Sequence, residues 1–213
     1  GAVAVSVDDE LARVIPVIEG LRRATEVPIS IDTSKPAVMR AAVAAGATLI
    51  NDVRALRDEG ALEAAAELGV GVCLMHMQGT PQTMQAAPHY DDIVDEVHAF
   101  FEERLAFATR MGIREDRLWL DPGFGFGKTP AHNLELLRRL RAFKRLGLPV
   151  LIGTSNKHTI GQVLGLPVSD RLEGTAATVA LGIANGTDAV RVHDVKAMAR
   201  VAKMADAIVH GWP

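Results

Sequence analysis

Six short apolar runs set the strongest constraint on the fold: residues 27–31, 48–53, 71–75, 118–120, 150–152 and 189–192. Most are apolar on consecutive rather than alternate positions, so both faces are expected to be buried, as in the strands of a parallel sheet. Between them run helical patterns over residues 8–23, 35–45, 60–68, 91–111, 133–146, 169–185 and 195–210. In the first of these, Leu11, Val14, Ile15, Ile18 and Leu21 form a one-sided stripe at helical spacing. Gly46, Gly69, Gly112, Gly147 and Gly186 stand where left-handed caps end five of the helices.

Strand–helix alternation implies a parallel sheet covered by helices. An open doubly wound sheet and a closed (β/α)8 TIM barrel both satisfy it. A barrel usually takes about 250 residues and eight strands. This chain has 213 residues and opens on a helix, which leaves about six of the eight βα units. It is 48% hydrophobic, enough for a sizeable core, and shows no linker or low-complexity segment. Residues 1–213 therefore read as a single domain.

The residues that follow the apolar runs favour the barrel. They are Asp32-Thr33-Ser34-Lys35, then Asn51-Asp52, His76-Met77-Gln78, Asp121-Pro122, Thr154-Ser155-Asn156-Lys157-His158, and finally Arg191 with His193-Asp194. Barrel sites are built at the C-terminal ends of several strands, whereas an open sheet concentrates its site at one switch point. Each group has an ordinary role when taken alone. An Asp after a strand caps a helix, Asn51 and Asp52 suit a turn, and His76 suits a satisfied structural histidine. Arg191 lies inside an apolar run, where a charge is costly unless paired or functional. Lys157 precedes a helix start, where the dipole favours anions instead. One shared site explains all of them together.

Charge and composition exclude other classes. The net charge is −3 with no basic patch, so nucleic acid is not an expected partner. No apolar stretch approaches about 18 residues, so no membrane span is expected. No basic-then-apolar leader opens the sequence, which reads as cytoplasmic. Cys73, the one cysteine, lies in an apolar run and reads as a buried inert thiol.

Residues 121–129, Asp-Pro-Gly-Phe-Gly-Phe-Gly-Lys-Thr, end like a phosphate-binding P-loop. That motif needs a glycine at position 122, which is Pro122, and a dinucleotide fingerprint needs one at 128, which is Lys128. Both fail. The segment reads instead as a strand end and a glycine-rich loop around Asp121, with Phe124 and Phe126 as walls for a flat ligand. A carboxylate in such a slot accepts two parallel N–H bonds from an amidine-like heterocycle such as guanine or a pterin.

The stretches 31–36 (IDTSKP), 50–53 (INDV), 74–81 (LMHMQGTP), 120–128 (LDPGFGFGK), 153–157 (GTSNK) and 191–195 (RVHDV) appear in this order. Together they resemble dihydropteroate synthases, the sulfonamide-inhibited folate-biosynthesis transferases of the pterin-binding TIM-barrel superfamily. The resemblance implies condensation of 6-hydroxymethyl-7,8-dihydropterin pyrophosphate with 4-aminobenzoate, giving 7,8-dihydropteroate and pyrophosphate. It implies that Asp121 accepts the pterin's paired N–H groups, and that Asn51 and Asp32 meet other ring nitrogens. Asp32 would also stabilise a developing cation. Lys157 would donate to the pterin carbonyl side and lie against the aminobenzoate. Arg191 and His193 would hold the pyrophosphate, Met75 and Phe126 would line the pocket, and Ser155 would lie near the aminobenzoate carboxylate. Asp32, Lys157 and Arg191 are the catalytic expectations.

The resemblance further implies a homodimer joined through its last helices, and Mg²⁺ brought with the substrate pyrophosphate rather than bound by a metal site of this chain. Two departures accompany it. Many members read Ser-Arg-Lys-Ser where this chain has Ser155-Asn156-Lys157-His158, which bears on aminobenzoate affinity and sulfonamide response. The family's first two strands, with the Asn that helps hold Mg²⁺ and a Thr-Arg-Pro-Gly loop, have no counterpart before residue 1, so exposed sheet edges and low turnover are expected. The competing readings are a related pterin-binding methyltransferase, which has no need of Arg191 and His193, and an inactive truncated pterin-binding relative.

Overall fold

A computed structural model describes residues 5–212. In chain order its elements are α1 (Val7–Ala24), β1 (Ser30–Asp32), α2 (Pro36–Ala44), β2 (Leu49–Asp52), α3 (Ala61–Leu68), β3 (Gly71–Met75) and α4 (Ile93–Arg110). A 3-10 turn (Glu115–Arg117) leads into β4 (Leu118–Asp121) and α5 (Pro130–Arg138). A second 3-10 segment (Leu140–Leu146) precedes β5 (Leu151–Ile152), α6 (His158–Leu164), α7 (Leu172–Ala184), β6 (Ala189–Val190) and α8 (Val195–His210). The expected alternation is present. The strands form one sheet in the order β1-β2-β3-β4 and a pair β5-β6. The pairings β1/β2, β2/β3 and β5/β6 are parallel.

The chain divides into two compact units. The first comprises the described residues up to His76 together with Phe101–Leu120. Its strands are buried through Ile31, Ile50, Val72 and Leu74, as consecutive apolar runs require, with Met39 of α2 in the same core. Helix α1 starts where Ser6 accepts the Asp9 N–H, and Asp8, Asp9 and Glu10 fill its first turn, the arrangement the helix dipole favours. Glu10 also accepts from the Thr33 hydroxyl and pairs with Lys35, fixing the segment that follows β1. The strand begins at Ser30 rather than at residue 27: Val27 is 60% exposed, and Pro28 has no N–H to give a ladder.

Asp52 is fully buried and shapes the turn after β2. Its carboxylate accepts the N–H groups of Arg54 (2.9 Å) and Leu56 (2.8 Å) and the Ser34 hydroxyl (2.5 Å). Ala55 and Leu56 both take left-handed backbone angles there. Burial raises the Asp52 carboxyl above the ordinary range, against the pull of these donors.

The second unit comprises Met77–Phe100 and the described residues from Asp121 onward. Helices α7 and α8 pack through Val179, Ile183, Met198 and Ala205. The pattern over 133–146 is not one helix. Thr129 and His132 form a reciprocal capping box and Pro130 sits at the helix start, so α5 begins three residues earlier than expected. It ends at Arg138, and the remainder winds as a 3-10 segment closed by left-handed Gly147.

Candidate active site

In the first unit, β1 and β2 end on polar residues in register. Ile31 faces Ile50 and Asp32 faces Asn51 across the parallel pair. The Asn51 Nδ2 donates to Asp32 Oδ2 at 3.1 Å, which orients both side chains. Asp32 is exposed, whereas Asn51 is only 3% exposed. Among the described residues the buried Asn51 Oδ1 has no hydrogen-bond partner. A buried unsatisfied acceptor costs about 1–3 kcal/mol, a cost that a ligand donor removes. Met75 and His76 are both buried at the end of β3.

In the second unit, Asp121 closes β4 and is 3% exposed. Its Oδ1 accepts the Gly123 N–H at 2.7 Å. Burial raises the Asp121 carboxyl above the ordinary carboxylate range, while that N–H and the charges of Arg191, Lys157 and Lys128 pull it down. Paired N–H donors from a ligand act in the same direction as these groups and hold the ionised form.

The loop after Asp121 needs its glycines. Gly123, Gly125 and Gly127 all have φ between 61° and 85°. A Cβ at Gly127 would lie 2.7 Å from the Gln78 carbonyl oxygen, so only glycine lets the two backbones meet. The Tyr90 hydroxyl donates to the Gly127 carbonyl (2.8 Å) and Gln85 Nε2 to that of Gly125 (2.8 Å). Asn133 Oδ1 accepts the Gly125 N–H at 2.8 Å. The loop is thus pinned on both sides while its polar groups stay satisfied.

Lys157 caps α6 from an extended conformation, and its Nζ lies 4.1 Å from the centre of the Phe126 ring. This places a cation on an aromatic face. Phe126 is half-buried, as a pocket wall would be. Phe124, expected as a second wall, turns away: it is 3% exposed and lines an apolar cavity of about 370 Å³ with Leu137, Ile160, Val163 and Leu181. A separate, polar cavity of about 390 Å³ gathers Gly153, Ser155, Lys157, Arg191, Val192 and His193. Within it, the Ser155 hydroxyl contacts His193 Nδ1 at 2.8 Å and accepts the His193 N–H at 3.2 Å. Strand β6 ends at Val190, so Arg191 is an exposed residue of this cavity and not a charge inside a strand. Asn156 has φ 56°, a left-handed angle that Asn tolerates better than most residues. Its carbonyl accepts from Arg171 at 2.8 Å, so the Asn that departs from the resembled pattern is held in a defined turn.

Sequence reasoning assigned no role to Lys128, Asn133, Gln85 or Tyr90. Lys128 is 3% exposed, and its Nζ donates to the Phe126 carbonyl at 2.9 Å. Burial lowers its amine to about 7, against the opposing pull of Asp121. A lysine inside an otherwise apolar glycine-rich stretch was a legible signal for it. The three loop-bracing residues lie outside the motif they support and carried none.

A family model described as "pterin binding enzyme" matches residues 1–193. Dihydropteroate synthase of Escherichia coli is 50% identical over 207 residues, covering 97% of this chain and 73% of that protein. The Haemophilus influenzae dihydropteroate synthase is 46% identical, covering 95% and 74%. Among solved structures, dihydropteroate synthase from Stenotrophomonas maltophilia with imidazole in its active site superposes with a TM-score of 0.94 at 54% identity, covering 96% of this chain and 77% of that one. The Xanthomonas albilineans enzyme in complex with 7,8-dihydropteroate gives 0.92 at 49% identity, covering 100% and 78%. Strand–helix order, parallel pairing and these likenesses agree on a pterin-binding TIM-barrel fold carrying six of its βα units among the described residues. The chain belongs to the dihydropteroate synthase family of pterin-binding enzymes.

Proposed function

We propose that the chain condenses 6-hydroxymethyl-7,8-dihydropterin pyrophosphate with 4-aminobenzoate, releasing pyrophosphate and forming 7,8-dihydropteroate. The observation that carries this reading is the pairing of two features in the second unit: a buried Asp121 beside a glycine-braced loop, and a cationic cavity containing Arg191, Lys157 and His193. The first suits the guanidine-like edge of a pterin and the second a departing pyrophosphate. A pterin methyltransferase has no use for the second.

In this reading Asp121 accepts two N–H bonds from the pterin. The unpartnered Asn51 Oδ1 takes a further ring donor, and the Asp32 carboxylate offsets positive charge as the pyrophosphate leaves. Arg191 binds that anion as a planar fork, and His193, oriented by Ser155, adds a donor. Lys157 donates to the pterin carbonyl side and, with Phe126, flanks the path of the aminobenzoate amine to the methylene carbon. Met75 lines the pterin site, and Ser155 serves the aminobenzoate carboxylate from the same cavity.

Among the described residues, no three His, Cys, Asp or Glu side chains gather as a metal site. Mg²⁺ enters this proposal as the counter-ion of the substrate pyrophosphate. Residues 1–213 acting as one barrel domain, a homodimer and a cytoplasmic setting complete the proposal. Exposed Leu181, Met204 and Ile208 on α7 and α8 support the dimer, and among the described residues no helix is long and apolar enough to cross a membrane.

The test is pyrophosphate release by the purified chain with both substrates. Release that depends on 4-aminobenzoate and matches dihydropteroate formed one to one is expected. A folded chain that binds the pterin ester but never releases pyrophosphate would refute the synthase reading.

A further inference from the structure

Asn133 is 1% exposed and lies on α5, outside every motif the reaction suggests. Its amide is used at both ends. The oxygen accepts the Gly125 N–H at 2.8 Å, and the nitrogen donates to the Thr159 hydroxyl at 2.9 Å. Gly125 is the residue before Phe126, and Thr159 stands two residues after Lys157. Thr159 is itself buried, in the first turn of α6. One side chain therefore joins the loop that carries the aromatic wall to the helix start that carries the lysine. Gly125 also packs on that lysine: a Cβ there would lie 3.3 Å from Lys157 Cδ. The Gln85 Nε2 donates to the Gly125 carbonyl at 2.8 Å. Both backbone polar groups of Gly125 are thereby fixed by side chains.

We propose that Asn133 is a positioning residue for the reaction: by bridging Gly125 and Thr159 it sets the distance between the Phe126 ring and the Lys157 ammonium. The inference rests on the substrate roles proposed above for Lys157 and Phe126, and it adds the part that holds them in place. A primary amide suits the task because it presents an acceptor and a donor in one rigid plane. A carboxylate lacks the donor, and a leucine lacks both groups.

The bridge is tested from its far end with Thr159→Val, which removes the hydroxyl and keeps the shape, against Thr159→Ser, which keeps the hydroxyl. Asn133→Ala is the companion variant. The first readout is the ε-methylene resonance of Lys157 in protein labelled with ¹³C-lysine, which the Phe126 ring shields. Phe126→Leu supplies its unshielded position. The second readout is steady-state turnover. In Thr159→Val the resonance is expected to move most of the way to the unshielded position while the melting curve stays cooperative. Displacing a positioned group costs on the order of ten- to a hundredfold in kcat/KM, and Thr159→Ser is expected to match the parent in both readouts. An unmoved resonance in folded Thr159→Val overturns the inference, whatever happens to turnover. A moved resonance with unchanged turnover leaves the bridge standing and removes Lys157 and Phe126 from the substrate site. If Asn133→Ala fails to fold, Thr159→Val still decides the matter.

Discussion

Replacing Lys128 by Met should change how stability depends on pH. The Lys128 amine is buried beneath the glycine loop, and burial lowers it from 10.5 to about 7. Above pH 10.5 the amine is neutral in both folded and unfolded chains, and its burial carries no charge cost. As pH falls toward 7 the unfolded chain takes up a proton that the folded chain does not, so stability is lost. Below 7 both forms are protonated and the loss is complete. The whole effect has a ceiling of about 5 kcal/mol, at roughly 1.4 kcal/mol per pH unit for one proton.

Asp121 sets the sign of the main complication. It is a buried carboxylate that favours charged Lys128, and its attraction is already part of the lowered value. The raised Asp52 carboxyl is present in parent and variant alike and cancels in the comparison. The lowered His132 changes stability below its ordinary 6.5, and the raised Tyr90 only near and above 10. Urea unfolding at intervals from pH 6.5 to 9.5 should therefore show the parent gaining stability steadily relative to Lys128→Met. The difference between the two curves should approach one proton per molecule. Parallel curves for parent and variant would refute the reasoning, because they would mean that Lys128 keeps its solution behaviour inside the fold.

The remaining predictions concern the loop and the polar cavity. Gly127→Ala should lower stability by about 2–3 kcal/mol in urea melts, since it adds a contact with the Gln78 carbonyl to a left-handed backbone. Gly147→Ala, with φ 73° and nothing within 4 Å of the new Cβ, should cost only about 1 kcal/mol. Equal losses would mean that the Gln78 contact is irrelevant. Arg191→Ala should weaken binding of the pterin pyrophosphate ester by about tenfold or more, leaving the bare pterin nearly unaffected. Equal losses for both ligands in a calorimetric titration would make the arginine structural.

Much of this arrangement was legible in the sequence because the strands announce themselves. Consecutive apolar residues at 71–75 and 118–120, too short for helices, point to buried strands, and the polar residue ending each run marks the candidate site end. Asp32, Asn51 and Asp121 were picked out this way as candidate site residues. Less legible was anything set by contacts between distant segments. Thr129-Pro130 starts α5 through a capping box with His132, which a count of apolar periodicity passes over. Arg191 looked like a charge within a strand because Val192 continues the apolar run, yet the strand ends at Val190 and Arg191, whose N–H gives the last bond to the Ile152 carbonyl at 2.8 Å, is exposed. Phe124 and Phe126 are chemically alike and two residues apart. Only the left-handed glycines on either side decide that Phe124 enters the helix layer while Phe126 meets Lys157. Asn133 was invisible for the same reason: both of its partners depend on the tertiary fold.

The central claim is that Asp121 anchors a pterin. Calorimetric titration of the parent chain and of Asp121→Asn with 6-hydroxymethylpterin, after circular dichroism has established that both are folded, tests it most directly. The account predicts saturable one-to-one binding by the parent. It predicts a loss on the order of tenfold to a hundredfold in Asp121→Asn, where hydrogen bonds to a charged acceptor become bonds to a mixed one. Equal affinity in the two proteins, or no binding by the folded parent, would contradict it.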